Sequence, residues 1–217
     1  MVYELLIWED KHWRFVRLTL EVPMLNTSHL SRTDMISVTE SNITSSGLFG
    51  FGLCAILVNL FEAGLFPVAP VILAMGIGYG GLSQIVVGLM EWQKQNVFGA
   101  ITFVSFGLFW LSLVGLLVLP EAGLGTLPQG MVLSAYLLFW GAFAGLLLAS
   151  AVKVSRLVRG MFLLLLGYFG LFFLGEVSAT PALTRLANFS GLASGLAALA
   201  AGAELILRQI VERAPGR

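Results

Sequence analysis

Six apolar stretches, near residues 46–66, 69–91, 98–119, 131–152, 158–175 and 187–206, take up most of this 217-residue chain. Each is about long enough to cross ~30 Å of hydrocarbon as a helix. Lipid satisfies no backbone N–H or C=O, so a helix is the spanning form open to stretches of this length. The breaks between them are short: Pro67 and Pro70, then EWQKQN, PEAGLGTLPQ, KVSRLVRG and EVSATPALTRLAN. The reading is an all-α integral membrane protein, multi-pass in the cell membrane. Its six-helix domain covers residues 42–207, with an N-terminal tail (1–41) before it and a C-terminal tail (208–217) after it. Composition agrees, with 58% hydrophobic and 11% charged residues, where soluble domains are roughly a quarter charged.

The basic residues orient the helices, because Lys and Arg gather in cytoplasmic loops. Lys11, Arg14, Arg17 and Arg32 precede the first helix, and Lys94 lies between the second and third. Lys153, Arg156 and Arg159 lie between the fourth and fifth, and Arg208, Arg213 and Arg217 follow the sixth. Only Arg185 falls on the other side, which predicts cytoplasmic termini. Residues 1–41 carry charge and no long apolar run, so they read as a loosely ordered cytoplasmic tail. The alternation in WRFVRLTLEV also admits a strand, and a start site assigned too far upstream is an equally plain reading, with Met35 opening a compact chain.

Several function classes fall away on composition. Formal net charge is zero, so nothing suggests nucleic acid as a partner. Both histidines, His12 and His29, precede the first apolar stretch, and Cys54 is the single cysteine. The membrane region therefore lacks the imidazole and thiol clusters that transition metals and haem require, and no metal or cofactor is expected. GIGYGG fits a dinucleotide fingerprint only loosely and lies in a helix that follows no strand. No paired acids or Ser/His/Asp set suggests an enzyme.

What remains is a set of neutral polar residues at membrane depth, where polar groups are costly and therefore informative. Asn59, Ser83, Gln84, Thr102, Ser105, Ser190 and Ser194 are candidates, while Glu62, Glu91, Glu121, Glu176 and Glu204 lie near helix ends within reach of water. Back-bonding to the helix is the ordinary role of a membrane Ser or Thr; Asn59 and Gln84 suit interhelical bonding and pore lining equally. Glycines crowd helix two (Gly76, Gly80, Gly81) and helix six (Gly191, Gly195), as close helix packing in lipid demands. Phe-Gly-Leu recurs at 51–53, 106–108 and 169–171, once in each inside-to-outside helix. Counted from Asn42, Asn96 and Arg159, these phenylalanines lie nine, ten and ten residues in, or roughly 14–15 Å, about the bilayer midplane. Chance recurrence of three common residues is the competing account.

The run MGIGYGGLSQIVVGLMEWQKQNVFGAITFVSFGLFWLSLV, residues 75–114, closely resembles the acetate uptake transporter family, the acetate and succinate permeases of microbes. Matching positions include Tyr79, Gly80, Gly81, Gln84, Gly88, Glu91, Asn96, Gly99, Phe103, Ser105, Gly107, Phe109 and Trp110, and the likeness extends over about 42–206. The family's N-P-A-P-L-G-L stretch leading into helix one survives here in Asn42, Gly47 and Leu48, without either proline. Proline fixes φ and withholds a donor, so the resemblance implies a non-helical lead-in that this chain is free to wind into helix.

The resemblance also implies a hydrophobic constriction, which falls on Phe51, Phe106 and Leu165. A phenylalanine stands at Phe106 where the family has tyrosine, which makes the ring drier. Depth selects Phe169 on helix five and the resemblance selects Leu165, one turn nearer the cytoplasm; Leu165 is preferred. The expected substrate path is Asn59, Tyr79, Gln84, Thr102 and Ser105, with Glu91 as a candidate for proton coupling or for capping loop contacts. The expected substrate is acetate, with succinate as a further one, carried with protons through one pore per protomer. By resemblance the protomers assemble as a homohexamer in the bilayer. A channel for ammonium, formate or water is the alternative.

Overall fold

Each apolar stretch forms a helix in the computed structural model, which describes residues 2–9, 12–19, 32–65, 70–128, 130–151 and 154–212, with side chains described only within 43–211. α1 spans Arg32–Glu62, and the second crossing is built from α2 (Pro70–Met75), a π-helical stretch (Gly76–Ser83) and α3 (Gln84–Gln93). α4 (Val97–Glu121), α5 (Met131–Ser150), α6 (Arg156–Val177) and α7 (Pro181–Glu212) complete the order. Among the described residues, six helices are long and apolar enough to cross a membrane, running from Ile43–Glu62 to Pro181–Val211.

Two compact units divide the chain, Met1–Ser37 and Val38–Arg217. In the first, β1 (Val2–Glu9) and β2 (His12–Thr19) pair antiparallel, with Val2 opposite Thr19 and Glu9 opposite His12. Most of WRFVRLTLEV falls in β2.

Helix boundaries follow from the caps. Asn96 accepts a hydrogen bond from the Gly99 N–H and opens α4, and Ser155 accepts from Val158 N–H and opens α6, as N-cap residues do. Four helices end in the same way, with a left-handed residue after the last turn and a 6→1 backbone bond behind it. Gly64 and Gly123 take that conformation after α1 and α4, backed by Leu65 N–H to Leu60 O and Leu124 N–H to Leu119 O. Gln95 (φ 63°) and Ala179 (φ 48°) take it after α3 and α6, where glycine would be less strained.

Four boundaries correct the reading from hydropathy. α1 begins at Arg32 rather than near 46, because TESNITSS holds no proline or glycine to stop a helix. It ends at Glu62 rather than 66, at the Gly64 cap. α7 outruns 187–206 at both ends, opened by Pro181, a favoured first helical residue.

Small residues set the spacing of the bundle. A Cβ at Gly52 would lie 2.8 Å from the Gly195 carbonyl oxygen, and one at Gly195 2.9 Å from that of Gly52, so α1 and α7 touch backbone to backbone. Gly88 and Gly107 seat α3 and the π-helical stretch against α4 in the same way. In lipid, such packing replaces hydrophobic burial as the force between helices. Inside lies a core of edge-to-face rings, among them Phe51, Phe106, Phe109, Trp110 and Phe169, each pair worth ~0.5–1.5 kcal/mol beyond its area. Outside, large apolar side chains such as Phe139 and Phe189 stand exposed, a surface suited to lipid and not to water.

Candidate functional site

The bundle has two chemically different ends. Residues 63–65 lie at one, called here the Glu62 end, and the turn at 94–96 lies at the other, called the Asn96 end. From the Glu62 end a cavity of about 380 Å³ reaches inward between the helices. Its deepest wall residues are Phe51 on α1, Phe109 on α4, Leu137 on α5 and Leu165 on α6. Phe106 lies behind this floor, its ring edge-to-face with Phe51 at 5.4 Å and with Phe109 at 6.2 Å.

The three residues expected at the constriction are therefore all buried in one aromatic plug, with Phe51 and Leu165 on the cavity side and Phe106 on the far side. Phe169, selected by depth alone, also lines the cavity, 6.0 Å from Phe109. Leu165 and Phe169 are thus successive turns of one wall.

Few polar groups interrupt this wall. Asn59 donates from Nδ2 to the Ala55 carbonyl one turn back at 2.8 Å, which leaves its buried Oδ1 without a partner. That oxygen sits over Gly191, where any Cβ would collide with it. The indole N–H of Trp110 is likewise buried and unpartnered. Glu62 on α1 accepts from the Tyr168 hydroxyl on α6 at 3.1 and 3.3 Å, and both residues line the cavity. Glu176 lies exposed near the end of α6.

At the Asn96 end the chemistry is closed rather than open. Glu91, 1% exposed, accepts from Thr44 Oγ1 at 2.6 Å, from Asn96 Nδ2 at 2.5 Å and from Lys94 Nζ at 3.3 Å. The left-handed Gln95 turns the chain so that Asn96 can bond back to Glu91 while it caps α4. Gly99 makes room, since a Cβ there would lie 2.6 Å from Asn96 Nδ2 and 3.1 Å from Glu91 Oε2. Of the two roles expected for Glu91, this geometry describes capping: it ties α1, α3 and α4 together.

Other expected residues are dispersed. Among the expected path residues only Asn59 lines the cavity; Tyr79, Gln84, Thr102 and Ser105 lie outside its wall. Gln84 is 0% exposed with both amide atoms unpartnered, and buried Thr102 Oγ1 and Ser45 Oγ share that condition. These are buried polar groups outside the cavity wall. The backbone of Asn42 is in α1, but its side chain is outside the described ones. Gly47 and Leu48 lie on the same continuous helix, Gly47 against the Phe103 ring and Leu48 in the core, so the lead-in is helical here. Lys153 lies outside the described residues.

Reading the sequence missed Glu62 as a wall residue and missed Tyr168 altogether. Only the helix-end position of Glu62 and the hydroxyl of Tyr168 at membrane depth pointed that way. It also missed the π-helical turn over Gly76–Ser83, where the glycine cluster was the available sign. Such turns are frequent at functional sites, and this one puts the Tyr79 carbonyl against Gly50 and Gly80 against Trp110 and Cys54. Among the described residues no three His, Cys, Asp or Glu side chains converge as a metal site would need.

Comparison with known proteins gives concordant results. The family profile described as "GPR1/FUN34/yaaH family" matches residues 29–210. An uncharacterized protein of Methanothermobacter thermautotrophicus is 37% identical over 202 residues, 89% of this chain and 97% of that protein. The succinate-acetate/proton symporter SatP of Escherichia coli (strain K12) is 39% identical over 159 residues, 73% of this chain and 85% of the symporter. A solved structure of the bacterial acetate channel SatP superposes with a TM-score of 0.76 at 36% identity, covering 81% of this chain and 97% of that one.

Proposed function

Because the chain belongs to the GPR1/FUN34/yaaH family, we propose that it moves acetate and related small carboxylates across the membrane through a path inside the single protomer. The observation that carries this reading is the wall of the 380 Å³ cavity. Phe51 and Leu165 stand at its inner end, and outside the wall Gln84 and Thr102 are buried with unspent hydrogen-bonding capacity.

The physical logic is that of a dry gate. A bare carboxylate crossing an apolar ring costs several kcal/mol or more, and no Lys or Arg lines the cavity among the described residues. Passage therefore takes either a brief opening of the Phe51–Phe106 contact or a protonated substrate, since hydrophobic constrictions gate by excluding water. Proton coupling fits the second route and matches the printed name of the E. coli relative. Asn59 on the cavity side, and Gln84, Thr102 and Ser105 beyond it, supply donors and acceptors to a desolvated substrate. The Asn96 end and both termini face the cytoplasm in this reading, with Arg156 and Arg159 raising local anion concentration at the inner mouth. The exposed apolar helix faces serve the bilayer and a homo-oligomer, a hexamer by family resemblance.

Flux into proteoliposomes tests it. Labelled acetate should enter faster than into protein-free liposomes, with competition by succinate and acceleration by an inward proton gradient. Ammonium flux without acetate flux would transfer the protein to the alternative class.

A further inference from the structure

The cavity above the plug contains a carboxylate that transport by an apolar gate does not explain. Glu62 is half-buried in its wall, on the last turn of α1, and its described hydrogen bonds come from one donor, the Tyr168 hydroxyl, at 3.1 and 3.3 Å. Besides Tyr168, the other titratable group among the described wall residues is Glu176, near the end of α6. From α2, α4, α5 and α7 the described wall residues are apolar or uncharged, and Glu121 and Arg185 lie outside it. An anionic substrate thus meets a like charge in a space with no wall cation among the described residues.

Two carboxylates facing one low-dielectric space do not both stay ionised at modest cost; they share a proton. Two further polar residues contribute to the wall. Asn59 (5% exposed) has an unpartnered Oδ1 and Trp110 (3% exposed) an unpartnered indole N–H, and both residues line the same cavity as Glu62.

We propose that Glu62, held by Tyr168, is the proton-binding residue of this cavity, so that a monocarboxylate occupies it together with one proton. The proton comes from solvent at the Glu62 end and lies between the Glu62 carboxyl and the substrate carboxylate. One O–H donates to the remaining anionic oxygen, and the pair carries a single negative charge. No covalent bond is made or broken. When the substrate moves on toward the plug it can take the proton with it, and Glu62 is left ionised and bonded to Tyr168. This inference rests on the carboxylate-transport reading and gives it a residue at which substrate and proton are counted together.

The test is acetate titration of the detergent-solubilised protein, followed by intrinsic tryptophan fluorescence between pH 6 and 9, where free acetate is an anion. Wild type should lose affinity as pH rises, approaching tenfold per pH unit above its midpoint. Glu62→Gln binds no proton, and its affinity should vary less than twofold over the whole range. Tyr168→Phe removes a donor that favours the ionised carboxylate, so its midpoint should move upward by half a pH unit or more. Should Glu62→Gln elute as a folded species yet bind no acetate, the Tyr168→Phe midpoint decides: an upward shift supports the proposal and an unshifted one overturns it. A Glu62→Gln protein with the wild-type pH profile overturns it outright, as does a profile flattened by Glu176→Gln instead. Wild-type protein that neither binds nor transports acetate removes the underlying reading as well; intact, pH-independent acetate binding removes this inference alone.

Discussion

The two ends of this bundle each bury a glutamate near a helix terminus, and the difference between their surroundings separates structure from function. Glu91 has donors on three sides, Thr44, Asn96 and Lys94, and is 1% exposed. Glu62 has one described donor, Tyr168, and faces a cavity of about 380 Å³. A carboxylate saturated with hydrogen bonds fastens helices together, because moving it would strand several buried groups at once. A carboxylate left with capacity, beside a space that a small molecule can fill, is free to exchange partners. Residue type and helix-end position are alike at the two sites; the inventory of neighbours sets the role.

Truncating the two glutamates should break this comparison most sharply. Glu91→Ala removes the acceptor shared by Thr44, Asn96 and Lys94, and removing one partner of a buried pair costs about 3–5 kcal/mol. Glu62→Ala removes one hydrogen-bonding partner, that of the Tyr168 hydroxyl, a loss of about 1–3 kcal/mol. Thermal unfolding in detergent should therefore fall by many degrees for the first and by few for the second. Equal losses would mean that both carboxylates are structural.

The glycines behind each site make a second, smaller contrast. Gly99→Ala puts a methyl against Asn96 and Glu91, and Gly191→Ala puts one against Asn59. Overpacking of this kind costs about 1–3 kcal/mol. At Gly99 the loss should show in the melting temperature. At Gly191 the Asn59 amide can swing into the cavity, so the loss should show more in acetate affinity than in melting.

The smallest effect is expected at the turn that serves Glu91. Gln95 holds φ at 63°, a conformation glycine adopts without strain, so Gln95→Gly should raise stability by up to about 1 kcal/mol. The Glu62 site should be untouched, with acetate affinity unchanged.

The sequence carried the skeleton of this fold in its hydropathy. Six apolar runs, Pro181 at a helix start and Gly64 and Gly123 at helix ends are local signals, and each helix formed where its run lay. Caps built on Gln95 and Ala179 were not legible, since neither residue favours φ above zero. The onset of α1 at Arg32 was missed for the opposite reason: a polar segment without breakers remains helical although it carries no apolar signal. The site was legible in part. Phe51, Phe106 and Leu165 came from resemblance, and all three are buried in one core cluster. The Glu62–Tyr168 bond joins residues 106 positions apart, and no periodicity within either helix encodes that meeting. Asn59 was legible as a costly polar residue, while Gln84 and Thr102 proved buried outside the cavity wall.

The central claim is that carboxylate passes through the protomer at the Phe51 contact. Labelled acetate uptake into proteoliposomes at several pH values, comparing wild type with Phe51→Ala and Phe106→Tyr, tests it most directly. Removing the Phe51 ring opens the dry contact, so Phe51→Ala should raise uptake severalfold and weaken discrimination between acetate and larger carboxylates, with Phe106→Tyr nearer to wild type. A folded Phe51→Ala protein with wild-type rate and selectivity would contradict the account.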